Sequence, residues 1–88
     1  MNKNLSIIIP VYNEKESLSL MIKILNSTLE FDNEIIIVYD SEDDNSIPVA
    51  KKLQNDFKNI ILVHNKIGKG VKYALQAGVE KSQYENIL

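Results

Sequence analysis

The chain has 88 residues, which bounds it to one small domain or a part of a larger one, and its 44% hydrophobic content is enough to bury a core. With 10 Lys and Arg against 12 Asp and Glu, the formal net charge of -2 argues against a generally basic surface for nucleic acid. There are no cysteines, which excludes a disulfide framework and a thiolate metal site and is compatible with a reducing cytosol.

The first apolar run, Leu5 to Ile9, contains three consecutive isoleucines and is stopped by Pro10. It is too short for an isolated helix, and its β-branched side chains suit a strand covered on both faces, hence a central parallel strand. It is also too short and too soon broken for a signal peptide or a membrane span, so a cytoplasmic location is the expectation. Pro10 lacks a ladder donor and is expected to end the pairing, leaving Tyr12, Asn13 and Glu14 at the strand's carboxyl end. In open α/β sheets ligands bind at that end.

Lys15 to about Glu30 reads as an amphipathic helix with Leu18, Ile22, Leu25 and Leu29 on the stripe facing the sheet. Asn13 is placed to cap it, with Glu14 and Glu16 in or near the first turn, where the helix dipole favours negative charge. Phe31, Asp32 and Asn33 make a polar break, and Glu34 to Tyr39 is a second strand with a doubly buried Ile35–Val38 run.

The acidic loop Asp40 to Ser46 follows, at the same edge as Tyr12 and Glu14. Ser46 is expected to cap the next helix, with Pro48 in its first turn and Val49, Leu53 and Phe57 on its buried face. Asn59 to Val63 forms a third strand. The loop His64 to Gly70 then leads into a third helix with Val71, Ala74, Leu75 and Gly78 on one face. Ser82 to Asn86 is a connection, and Ile87-Leu88 barely begins a fourth strand. The expected fold is therefore α/β, a three-layer Rossmann-like parallel sheet in a single domain, with strand order 3-2-1 and right-handed crossovers.

The loops restrict the chemistry. A dinucleotide fingerprint needs glycines directly after the first strand, and Pro10–Glu14 contains none. Gly68-Lys69-Gly70 has the look of a phosphate loop, but a Walker A motif requires Ser or Thr after the lysine and a glycine where Val63 stands. Its two readings are an anion-approaching loop, with Lys69 adding charge, or a plain strand-to-helix turn. Asp40 is placed to accept a hydrogen bond from a base imide or a ribose hydroxyl, or else to form a turn. Asp43 and Asp44 are solvated loop acids or partners of the next helix's N-terminus. Tyr12 either stacks on a planar base or packs against its own helix. His64, the only histidine, reads as a loop or strand-end residue.

Taken together, IIIPVYNE, EIIIVYDSEDDNS and NKIGKGVKYALQAGVEKS, in that order and spacing, resemble the N-terminal half of family 2 glycosyltransferases, including dolichyl-phosphate mannose synthase-like enzymes. The resemblance covers nearly the whole chain. It implies a GT-A fold and transfer of a sugar from a nucleotide diphosphate sugar, UDP- or GDP-linked, usually with Mg²⁺ or Mn²⁺ held by a DxD motif. It further implies that Pro10, Tyr12 and Glu14 line the nucleoside pocket, that Asp40 contacts the base or ribose, and that the Lys69 loop lies near the same pocket. Tyr39 stands where the family commonly has the first of two adjacent acids.

The DxD motif belongs after the fourth strand, so the resemblance implies no metal site and no catalytic residue in this stretch. The expectation is a nucleotide-binding portion, inactive alone, whose full-length form works at the membrane surface. Lacking a full fourth strand, the Leu5–Ile9 edge is expected to be open and to drive homo-oligomerisation. A competing reading is a non-catalytic α/β interaction or regulatory module. Its receiver-like version, with Asp40 as phosphoacceptor, wants an acidic pair where Val11-Tyr12 stands. A nucleotidyltransferase would want a glycine-rich first loop.

Overall fold

In the computed structural model, residues 4–29, 32–84 and 86–88 are described. Glu30 and Phe31, and with them the expected end of the first helix, lie outside the described residues. Seven elements follow one another: β1 (Leu5–Pro10), α1 (Leu18–Thr28), β2 (Asn33–Tyr39), α2 (Ser46–Asp56), β3 (Ile60–His64), α3 (Val71–Lys81) and β4 (Asn86–Ile87). The strands form one parallel sheet in the order β3-β2-β1-β4. This is the Rossmann-like arrangement expected from the three apolar runs.

Strand β2 is the middle of the molecule. Its residues Glu34 to Val38 are all buried, and alternation splits them between two cores. Ile35 and Ile37 join Ile7, Leu18, Ile22, Ala50 and Leu53 beneath α1 and α2, while Ile36 and Val38 meet Ile8, Val63, Ala74 and Ala77 beneath α3. Removing each such isoleucine from water stabilises the fold by about 1.5–3 kcal/mol. The register Ile7↔Ile35, Ile8↔Ile36 and Ile9↔Ile37 keeps every pair on its proper face.

Several local expectations change. Helix α1 starts at Leu18 rather than Lys15, because Glu14 to Ser17 form a turn in which the Glu14 carbonyl accepts the N–H groups of Ser17 and Leu18. Its first turn therefore contains no acid, and Asn13 does not cap it. Ser46 is the first residue of α2 instead of its cap. Leu53 is buried as expected, with Val49 and Phe57 packed at the margin, and Ile47 and Ala50 complete the buried face.

In α3, Ala74 and Gly78 are buried as expected, but Val71 and Leu75 are 64% and 41% exposed and Ala77 completes the buried face. Small side chains let this helix settle directly on β1. A Cβ added at Gly78 would lie 2.5 Å from Cγ2 of Ile8.

At β1, pairing runs one residue past the proline, since the Val11 N–H donates to the Val38 carbonyl at 2.9 Å. The other edge of β1 is less open than the sequence suggests. Strand β4 pairs Leu5 with Asn86 and Ser6 with Ile87, and the Ile8 N–H reaches the Leu88 carbonyl at 2.9 Å. Buried Glu34 secures this corner, accepting the Ser6 hydroxyl at 2.5 Å and the Gln83 N–H at 2.7 Å. No helix among the described residues is long and apolar enough to cross a membrane.

The contact of α3 with Ile8 gives a direct test. Gly78→Ala should destabilise the chain by about 1–3 kcal/mol through overpacking, and combining it with Ile8→Ala, which removes the Cγ2 methyl that the added Cβ would meet, should cost less than the sum of the two single variants. Urea unfolding that finds Gly78→Ala as stable as the parent would refute this packing.

Candidate functional site

The loops after β1, β2 and β3 meet at the carboxyl edge of the sheet. A cleft of about 610 Å³ lies among them, lined by Tyr12, Asp40, Asn65, Lys66 and Lys69 together with residues of the acidic loop. A second cleft of about 370 Å³ adjoins it, with Pro10, Glu14 and Gly70 in its wall. Tyr12 and Asp40 line both clefts. The five residues singled out by sequence therefore converge on one surface, although Lys69 lines only the first cleft and Pro10 and Glu14 only the second.

The floor of the site is a set of bonds between the first two loops. Asp44 is the central acceptor: its carboxylate takes the Asn13 N–H at 3.0 and 3.1 Å and the Ser46 N–H at 2.7 Å. The Ser46 hydroxyl accepts the Glu14 N–H at 2.7 Å, and Asn45 Oδ1 accepts the Lys15 N–H at 3.1 Å. In return, Asn13 Oδ1 accepts the Asn45 N–H at 3.1 Å. Asn13 adopts φ +50°, a left-handed conformation that asparagine tolerates better than most residues. Its side chain is thus committed to the second loop, which is why it does not cap α1.

Asp44 is therefore an organising acid rather than a solvated one, and is only 5% exposed. Burial pushes its carboxyl pKa up, but the N–H groups of Ser46 and Asn13 and the Ser46 hydroxyl outweigh that effect, holding the group below its ordinary value. Asp43, by contrast, is exposed and accepts the Ser41 hydroxyl.

Tyr12 is 80% exposed, so it is not an anchor packed against its own helix. Its ring stands at the cleft with a face accessible to a planar ligand. Asp40 follows β2 directly, and its Oδ1 accepts a hydrogen bond from Asn65 Nδ2 at 2.7 Å. His64, the last residue of β3, stacks on Tyr39 with ring centroids 4.8 Å apart and places Nε2 3.1 Å from the Asp40 carbonyl. It is a strand-end residue that holds the backbone of Asp40.

Gly70 precedes α3 with φ +104°, a conformation that favours glycine, and turns the chain from the Lys69 loop into the helix. Asn65 was not singled out by sequence reasoning. The available signal was its position: it directly follows β3 as Asp40 directly follows β2.

Among the described residues there is no group of three or more His, Asp or Glu able to hold a metal ion. Asp44 already spends its oxygens on backbone N–H groups, and Asp40 is tied to Asn65.

A parallel sheet with a polar cleft at the carboxyl ends of its central strands defines an open α/β domain of the Rossmann-like class. The chain belongs to a particular family within it: the profile of Glycosyl transferase family 2 matches residues 6–88. Glycosyl transfer, generally from a nucleotide sugar, is the chemistry of that family.

The bonds to Asp44 predict that Asp44→Ala destabilises the chain by about 1–3 kcal/mol near neutral pH, because the buried Ser46 N–H and the partly buried Asn13 N–H lose their acceptor. A carboxyl held below its ordinary value stabilises the fold above the unfolded-state pKa, and that stability is lost as the pH falls through the lowered folded-state value. Urea unfolding at successively lower pH should therefore show parent and variant drawing together; a gap that widens on acidification would contradict the assignment.

Proposed function

We propose that this chain holds the nucleotide of a UDP- or GDP-linked sugar donor, as the donor-binding part of an inverting family 2 glycosyltransferase of the dolichyl-phosphate mannose synthase type. The observation that carries the reading is the convergence of an exposed aromatic ring, a carboxylate and an ammonium group, those of Tyr12, Asp40 and Lys69, on one cleft. In this reading the Tyr12 ring stacks on the base, Asp40 accepts the base imide N–H or a ribose hydroxyl, and Lys69 faces the diphosphate. Pro10 and Glu14 form the adjoining wall.

In transfer, an acceptor oxygen forms a bond to the anomeric carbon as the bond to the diphosphate breaks, and the nucleotide diphosphate departs with that electron pair. Orientation of the leaving nucleotide is the contribution assigned to this chain. Mg²⁺ or Mn²⁺ assists the departing diphosphate in the wider family, and the reading gives that task to none of the described residues. A place in the cytoplasm, against a membrane surface, accords with a lipid-linked acceptor.

Calorimetric titration with UDP and GDP, with and without Mn²⁺, tests the proposal. The expected result is base-selective binding that is insensitive to the metal and weakened at least about tenfold by Asp40→Ala, the loss of one charged hydrogen bond. A folded parent that binds neither nucleotide would overturn the reading in favour of a non-catalytic interaction module. Homo-oligomerisation is a second part of the proposal, because no strand covers the outer edge of β4 among the described residues. Size-exclusion chromatography at high micromolar concentration should show a species larger than a monomer, and strictly monomeric elution would oppose it.

A further inference from the structure

We infer that Asn65 is a positioning residue for nucleotide recognition, fixing the Asp40 carboxylate and the Lys66–Lys69 loop as one unit; this rests on the donor-binding reading above. Asn65 is 5% exposed, and its own N–H donates to the Tyr39 carbonyl at 2.8 Å, carrying the β2–β3 ladder to the foot of Asp40. Its side-chain nitrogen donates to Asp40 Oδ1 at 2.7 Å and to the Gly68 carbonyl at 2.7 Å. Its side-chain oxygen accepts the Ile67 N–H at 3.0 Å.

A carboxamide has two N–H donors and one acceptor oxygen. Both donors and the oxygen are engaged here, and turning the amide over would set its oxygen against a carboxylate and a carbonyl. Three separate partners therefore enforce one orientation.

Holding the loop in shape requires only the bonds to Ile67 and Gly68. The third bond ties the buried amide to the carboxylate of an exposed residue, which could otherwise turn to water. Its effect is on Asp40, which is held in one rotamer with Oδ1 occupied and Oδ2 available to a ligand donor. The His64 ring secures the Asp40 carbonyl from the other side, so main chain and side chain are each fixed. Because a single nitrogen reaches both Asp40 and Gly68, displacement of the Lys69 loop by a diphosphate is transmitted to the group that meets the base. Recognition of the base and contact with the diphosphate are thereby coupled.

The test uses the full chain and the near-isosteric Asn65→Asp, which keeps an acceptor for Ile67 but sets a second carboxylate against Asp40. UDP and GDP affinities are measured as the ratio of variant to parent at each pH, with the folded fraction matched. At about pH 8 the repelling carboxylates should weaken binding about tenfold or more, and towards about pH 5 a shared proton should restore the bond and bring the ratio back towards one. A cleft that does not depend on the Asn65 side chain predicts a ratio that does not change with pH. A pH-independent loss, or no loss at about pH 8, overturns the proposal.

A ligand-free measurement separates this from failure of the donor-binding reading. Three-bond couplings of the Asp40 β protons should report one χ1 rotamer in the parent and averaging in Asn65→Ala. Averaged couplings in the parent refute the positioning role. A parent that binds neither nucleotide but shows the single rotamer refutes donor binding while leaving the positioning of Asp40 established.

Discussion

Strand β2 has no face to give to water. With Ile35, Ile36, Ile37 and Val38 essentially inaccessible, helices must cover both sides of it, and parallel neighbours β1 and β3 must return through crossovers. Parallelism then delivers the three strand ends to one edge of the sheet. The meeting of the Tyr12, Asp40 and Lys69 loops follows from the burial of this strand. The small residues of α3 belong to the same constraint, because a bulkier helix would be held away from Ile8 and from the sheet.

At that edge the polar residues serve mainly one another. Asp44, Asn45 and Ser46 accept three successive backbone N–H groups of the first loop, while Asn65 binds the second loop to the third. What reads in sequence as an acidic, solvent-loving segment is partly a scaffold of side-chain to backbone bonds. The exposed groups that remain at the rim, Tyr12, Asp40 and Lys69 among them, are consequently borne on loops with fixed bases. This division between buried organisers and exposed contact groups accords with a site on a family 2 glycosyltransferase domain.

The strands and their order were legible because three runs of β-branched residues separated by helical periodicity admit few other arrangements. The stripe of α1 was legible for the same reason, since Leu18 and Ile22 are wholly buried. The start of α1 was not: whether Asn13 caps its own helix or bonds to Asn45 is decided by a contact 32 residues away, which local rules do not contain. The face of α3 was legible in Ala74 and Gly78 but not in Val71 and Leu75, because large apolar residues usually mark the buried side, whereas close packing against β1 selects small ones and adds Ala77. Asn65 escaped notice because an asparagine beside a glycine-containing loop looks like turn chemistry; its bond to Asp40 spans 25 residues. Asp40 and Tyr12 could be singled out, and placed at the cleft, because their positions just past strand ends carry meaning without any contact map.

The bonds that hold Asn13, Glu14 and Lys15 to the start of α2 also bear on the thermodynamics of ligand capture. A loose loop must surrender chain entropy when it closes on a ligand, at about 1–2 kcal/mol for each residue ordered. Here the segment below Tyr12 is ordered when the domain folds, so that loss is already accounted for before any ligand arrives. A ligand at the first loop would meet a preorganised surface, and the free energy of its contacts could appear as affinity rather than being spent on assembling the loop.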